Sequence, residues 1–177
     1  MTPVVLASKS ASRAAVLTAA GVVFEAVGSG VDEEAAKALA VSRLRPEAIV
    51  IGADQTLDLD GALFDKVETL AEARPRLQQL RGRTHHLHSA VVAAHAGVVI
   101  WRHCESPRLS MREASDAFID GYLARHGESL LGSVGVYQLE NDGAQLFDEI
   151  EGDYFAILGL PLVPVLNLLR KRGALAT

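Results

Sequence analysis

The 177-residue sequence predicts an α/β protein with a mixed, elongated sheet flanked by helices. Three observations carry that expectation. The apolar run Pro3 to Ala7 passes through the polar Ser8 to Ser10 into the helix-like Ala11 to Ala20. A second run, Ile49 to Ala53, has the continuous apolar character of a strand covered on both faces, and Asp54 and the turn pair Asp60-Gly61 follow it. Pro161 to Arg172 reads as a helix whose last turn holds Arg170, Lys171 and Arg172, where the macrodipole favours cations.

Taken in order, Pro3 to Ala7 is the first strand, and Gly21 suits the left-handed position after the first helix. Val22 to Val27 reads as a strand, Ala35 to Leu44 as a helix before Pro46, and Ala48 to Ala53 as a strand that ends at Asp54. Asp60-Gly61 marks a tight turn between two short extended pieces leading to Lys66. Thr69 and Glu72 have capping-box spacing for a helix reaching Leu80, with Pro75 predicting a kink or a late start. His85 to Ala94 and Val98 to His103 read as strands joined around Ala96-Gly97, and Ser115 to Arg125 as a helix ending near Gly127. Val134 to Leu139 reads as extended and Ala144 to Ile157 as mixed.

No linker divides the chain, so a single domain over residues 1–177 is expected. The composition, 49% hydrophobic and 22% charged, is that of a soluble globular protein, and no stretch nears the roughly 18 apolar residues a spanning helix needs. A net charge of -5 gives no general attraction to nucleic acid or anionic membrane, so any phosphate site must be local. Cys104, the single cysteine, excludes an internal disulfide and fits a reducing compartment. With no basic, signal-length segment at the start, cytoplasm is the expected location.

An ionised Asp54 beside a buried strand loses hydration and needs a partner cation, backbone donors, or a metal with its substrate. In "LASKSASR", Leu6 to Arg13, hydroxyls, free N–H groups and the positive end of a helix dipole converge, which suits an anion that Arg13 could grip through its planar fork. Taken alone, the loop fits an N-cap at Ser8 or Ser10 with solvated Lys9 and Arg13 better than a phosphate site. It lacks the glycine spacing of a Walker loop. Asp32, Glu33 and Glu34 read first as a solvated acidic turn before a helix; with Asp54, Glu33 would complete a carboxylate pair of the kind that holds Mg²⁺ beside phosphates. Lys37 and Lys66 are the lysines best placed to meet the same charge, although each singly reads as a surface residue. His86 and His88 alternate with His85 across a strand, an awkward geometry for zinc, and Cys104 has no clear base partner. Trp101 reads as packing.

"LASKSASR", "VDEE", "IVIGADQTLDLDG", "FDK", "LRGRTH" and "EGDYFAILGLPLVPVL" together resemble, in order and over nearly the whole chain, the motifs of the Maf family. The resemblance implies a fold similar to inosine triphosphate pyrophosphatases, two lobes around a central cleft, a homodimer, and hydrolysis of a nucleoside triphosphate to monophosphate and pyrophosphate with a divalent metal, Mg or Mn. It implies catalytic roles for Asp54 and Lys66, metal ligation by Glu33 and Asp54, and nucleotide binding by Ser8, Ser10, Ser12, Arg13, Lys37, Gln55 and Glu140. Gln55 and Glu140 are similar to the branch acting on 7-methyl-GTP rather than the thymidine and uridine triphosphate branch. Ser12 departs from both branches, Gly132 replaces an Asp of the pyrimidine branch, and Val67 replaces a usual Pro. The stretch after "VDEE" is shorter than in typical members. The family's link to septum formation implies an alternative, a nucleotide sensor acting through a partner. A sensor, however, has no need of a water-activating carboxylate.

Overall fold

The computed structural model describes residues 1–28 and 34–176. The first half holds β1 (Val4–Leu6), α1 (Ala11–Ala19), β2 (Glu25–Ala26), α2 (Glu34–Leu44), β3 (Ile49–Leu59), β4 (Ala62–Phe64) and α3 (Leu70–Leu80). The second half holds β5 (Thr84–His95), β6 (Val98–Glu105), β7 (Arg108–Met111), α4 (Asp116–His126), two 3₁₀ turns, β8 (Phe147–Glu151), α5 (Tyr154–Ile157) and α6 (Leu162–Lys171). The mixed, helix-flanked sheet is the predicted α/β class. Two compact units divide the chain: one made of Met1–Asp54, Ser89–Glu105 and Leu158–Thr177, the other of Gln55–His88 and Ser106–Ile157.

In the first unit β1 pairs in parallel with β2 and with β3, Val4 opposite Ile49 and Leu6 opposite Ile51. Both faces of this strand group are covered, which is why Val4 to Leu6 and Ile49 to Ile51 are buried without alternation. Val5, Val50, Val92, Ala38 and Val41 form one packed cluster that seats α2 against the sheet. The β5–β6 hairpin turns on Ala96 (φ 49°) and Gly97 (φ 76°), the pair of left-handed residues that a two-residue turn requires. In α6, Leu162, Val165, Leu168 and Leu169 recur at helical spacing and are buried.

In the second unit the Asp60-Gly61 turn joins β3 to β4 as predicted, with φ of 54° and 84°. Thr69 caps α3 through the expected box: its hydroxyl accepts the Glu72 N–H, while the Glu72 carboxylate accepts the N–H groups of Glu68 and Thr69. Those backbone donors hold the Glu72 carboxyl below the usual range. Pro75 lies inside this helix, which nevertheless runs from Leu70 to Leu80. Its core gathers Leu57, Leu77, Leu80, Leu87, Leu109, Ile119, Tyr122 and Leu130.

Three expectations are corrected. Asp54 does not end its strand, because β3 continues to Leu59 as the burial changes from both faces to alternating faces. The second strand is confined to Glu25–Ala26. Val134 to Leu139 is not a strand: Val136 has φ 59°, its N–H bonds Ser133 O, and the Tyr137 ring fills the space a side chain at Gly135 would need. Its apolar pattern reflects a buried turn. Strand β7, four residues long, pairs with β5 and β8 and was too short to stand out by periodicity.

His86 and His88 do share a face, their rings stacked 6.3 Å apart, whereas His85 on the other face is fully buried. His85 Nε2 lies 2.8 Å from the Tyr137 hydroxyl, and its Nδ1 has no hydrogen-bond partner. Burial, and secondarily His86, lowers the His85 pKa to about 4 from 6.5. The depressed value means its contribution to stability is complete above pH 6.5 and is lost as pH falls toward 4. At roughly 1.4 kcal/mol per unit the loss is on the order of 3 kcal/mol. Urea unfolding of wild type and His85→Gln at pH 7 and pH 4 checks this. The wild type should lose more stability over that interval, and equal losses would remove His85 as the titrating group.

Candidate functional site

The loop between β1 and α1 is organised by two serines and one arginine. Ser10 is the N-cap of α1 and its Oγ accepts the Arg13 N–H at 3.4 Å, so the capping reading of this serine holds. Ser8 Oγ accepts the Ser10 N–H at 3.1 Å and an Arg13 Nη1 hydrogen at 3.3 Å. Arg13 is 8% exposed, and its Nε donates to Gly159 O at 2.9 Å. Gly159 supplies that carbonyl from a left-handed backbone (φ 94°), between the apolar Leu158 and Leu160. The arginine is therefore no solvated surface residue. A cation here stands at the positive end of the helix dipole, and the first turn of α1 holds no acidic residue of its own. Ser12, the second residue of α1, is half-buried beside Arg13 in sequence.

The same unit holds Asp54 and Lys37. Ile49 to Ala53 are buried, and Asp54 is the first partly exposed residue of β3. Its carboxylate thus keeps access to solvent while the strand fixes its backbone. Lys37, on α2, is half-buried. Glu33, the expected second carboxylate, lies outside the described residues. Among the described residues no group of three or more His, Cys, Asp or Glu side chains is placed to hold a metal ion.

The second unit holds Gln55, Lys66 and Glu140. Both amide hydrogens of Gln55 serve the end of α5, with Nε2 at 2.9 Å from Ala156 O and 3.0 Å from Ile157 O. Asp153 caps the other end of that helix by accepting the Ala156 N–H. Lys66 is exposed and follows β4 in a cleft of about 580 Å³ that Glu68, Pro75, Arg76 and Gln79 also line. Glu140 is exposed on a loop that is itself tightly held. Tyr122 Oη accepts the Gln138 N–H at 3.1 Å, Gln138 Nε2 donates to Ser129 O at 2.9 Å, and Asn141 Nδ2 donates to Gln138 Oε1 at 2.8 Å. Beyond it Arg125 and His126 both bond Asp142. Partial burial opposes ionisation of Asp142, but its hydrogen bonds to Arg125 and His126 hold its carboxyl below the usual range.

The structure thus joins Ser8, Ser10 and Arg13 directly, places Asp54 and Lys37 in the same unit, and places Gln55, Lys66 and Glu140 in the other. Gly159 was missed because its role is a carbonyl, which no side-chain motif announces. Its signal is a glycine flanked by apolar residues just before a helix.

A family model described as Maf-like protein matches residues 3–172. The nucleoside triphosphate pyrophosphatase of Caulobacter vibrioides is 56% identical over 99% of this chain and 98% of its own length. A protein of the same description from Granulibacter bethesdensis is 47% identical over 97% of this chain and 98% of its own. The 7-methyl-GTP pyrophosphatase of Rhizobium meliloti is 43% identical over 97% of this chain and 96% of its own.

Proposed function

Because the chain belongs to the Maf-like protein family, we infer that it is an enzyme, a nucleoside triphosphate pyrophosphatase that releases a nucleoside monophosphate and pyrophosphate. The observation that carries this reading is the buried Arg13 at the start of α1. Its guanidinium, held by Gly159 and Ser8, stands beside a capped helix N-terminus, where backbone N–H groups and the helix dipole favour an anionic ligand.

In this reading Asp54 orients the attacking water and accepts its proton as the water adds to the α-phosphorus. The bond to the bridging oxygen breaks, and pyrophosphate leaves with the new charge. Arg13, Lys37 and Lys66 meet that charge. Ser8 and Ser10 hold the loop and its arginine in place. Asp54, with Glu33, would hold a Mg²⁺ or Mn²⁺ ion, which when bound neutralises phosphate charge.

The base follows from Glu140. Ionised, it offers only acceptors, which match the N1–H and exocyclic amine of guanine and not the O4 and O2 of thymine or uracil. Methylation at N7 makes the purine cationic and adds a Coulomb attraction to a nearby carboxylate of ~1 kcal/mol. The expected order of kcat/KM therefore puts 7-methyl-GTP or GTP, or CTP with its N4 donor, above UTP and dTTP. Glu140→Gln should narrow the gap by about fivefold, the equivalent of that ~1 kcal/mol. If dTTP leads the panel and Glu140→Gln leaves the order unchanged, Glu140 does not read the base. Ser12 then becomes the better candidate.

A further inference from the structure

We propose that Arg76 is a positioning residue for Lys66: it fixes the main chain on which Lys66 stands, and so its effect on catalysis passes through that lysine. The proposal rests on the reading of Lys66 as a phosphate-binding residue. Arg76 projects from the middle of α3, half-buried, and its Nη1 donates to two main-chain carbonyls, Asp65 O at 2.9 Å and Val134 O at 2.7 Å. Asp65 immediately precedes Lys66. The guanidinium carbon also stands 4.7 Å from the centre of the Phe64 ring, so residues 64 and 65 are both held by one side chain. Lys66 and Arg76 line the same open cleft.

Other chemistry does not account for this arrangement. Among the described ion pairs none involves Arg76; burial lowers the pKa of its guanidinium, and the nearby Asp65 and Glu72 only partly oppose that shift. A surface arginine that served solubility would not give both hydrogens of one nitrogen to carbonyls from separate segments. Without it, the Phe64–Lys66 segment at the end of β4 and the buried turn at Val134 lose their common tie. Lysine cannot replace it fully, since a single ammonium lacks the flat face that stacks on Phe64.

A double-mutant cycle in the full chain tests the proposal. Lys66→Ala should lower kcat/KM and weaken inhibition by inorganic pyrophosphate. Arg76→Met should lower kcat/KM by about tenfold in wild type, a modest misplacement of a phosphate ligand, and by less than about twofold when Lys66 is already Ala. Pyrophosphate inhibition should follow the same pattern. Arg76→Lys, which retains the charge, should fall between wild type and Met, and keeps the test usable if Arg76→Met does not fold. Equal losses from the Arg76 variants in both backgrounds, or no loss in wild type, overturn the positioning role while Lys66 keeps its own. No effect of Lys66→Ala overturns the reading of Lys66 and the proposal with it.

Discussion

Asp54→Asn is expected to lower kcat by about 10²- to 10⁴-fold, the range that a positioned proton acceptor contributes. The amide is nearly isosteric, and Asp54 sits where β3 first becomes partly exposed, so the strand and the buried Ala53 before it should be undisturbed. What the amide loses is the ability to take a proton and the negative charge. Unfolding midpoints of the two proteins should agree closely, and nucleotide binding by calorimetry should persist. Varying the divalent metal separates two roles. If excess Mg²⁺ or Mn²⁺ restores much of the rate, Asp54 acts chiefly as a ligand; if the defect is independent of metal, proton transfer dominates. Activity within a few-fold of wild type would remove Asp54 from the reaction altogether.

That prediction could be framed from sequence because the signals around Asp54 are local. An unbroken apolar run, a carboxylate, then alternation ending in Asp60-Gly61 indicate a covered strand, a polar opening and a hairpin. The capping box of α3 and the left-handed turn at Ala96-Gly97 were legible for the same reason, since each depends on neighbours within a few residues. Features that depend on distant partners were not. Whether Val134 to Tyr137 extends or turns is decided by the Tyr137 ring over Gly135 and by Arg76 reaching Val134 from α3. The amide hydrogens of Gln55 bond residues 156 and 157, more than a hundred positions away, a tie that no local pattern announces. The burial of Arg13 likewise depends on a distant partner, Gly159, whose carbonyl accepts from its Nε.

Arg13→Ala should show the second large effect, and it should combine a loss of stability with a loss of activity. Truncation leaves the Gly159 carbonyl and the Ser8 hydroxyl without their shared donor in a buried setting, which costs about 1–3 kcal/mol for a carbonyl left unpaired. The activity term has a different origin. The guanidinium meets phosphate charge in the bound substrate and in the transition state, so KM should rise and kcat fall, with kcat/KM down by about 10²-fold or more, as found for loss of a single charge-stabilising donor. Arg13→Lys distinguishes the two contributions. It retains the cation near the N-terminus of α1, but one ammonium cannot reproduce a planar fork whose Nε and Nη1 face different acceptors. Its kinetics should therefore lie between those of wild type and Ala, with weaker inhibition by free pyrophosphate than in wild type. Should Arg13→Lys lose stability yet retain wild-type kcat, KM and pyrophosphate inhibition, Arg13 would be only a tie between α1 and the Gly159 turn, and the phosphates would have to be bound elsewhere.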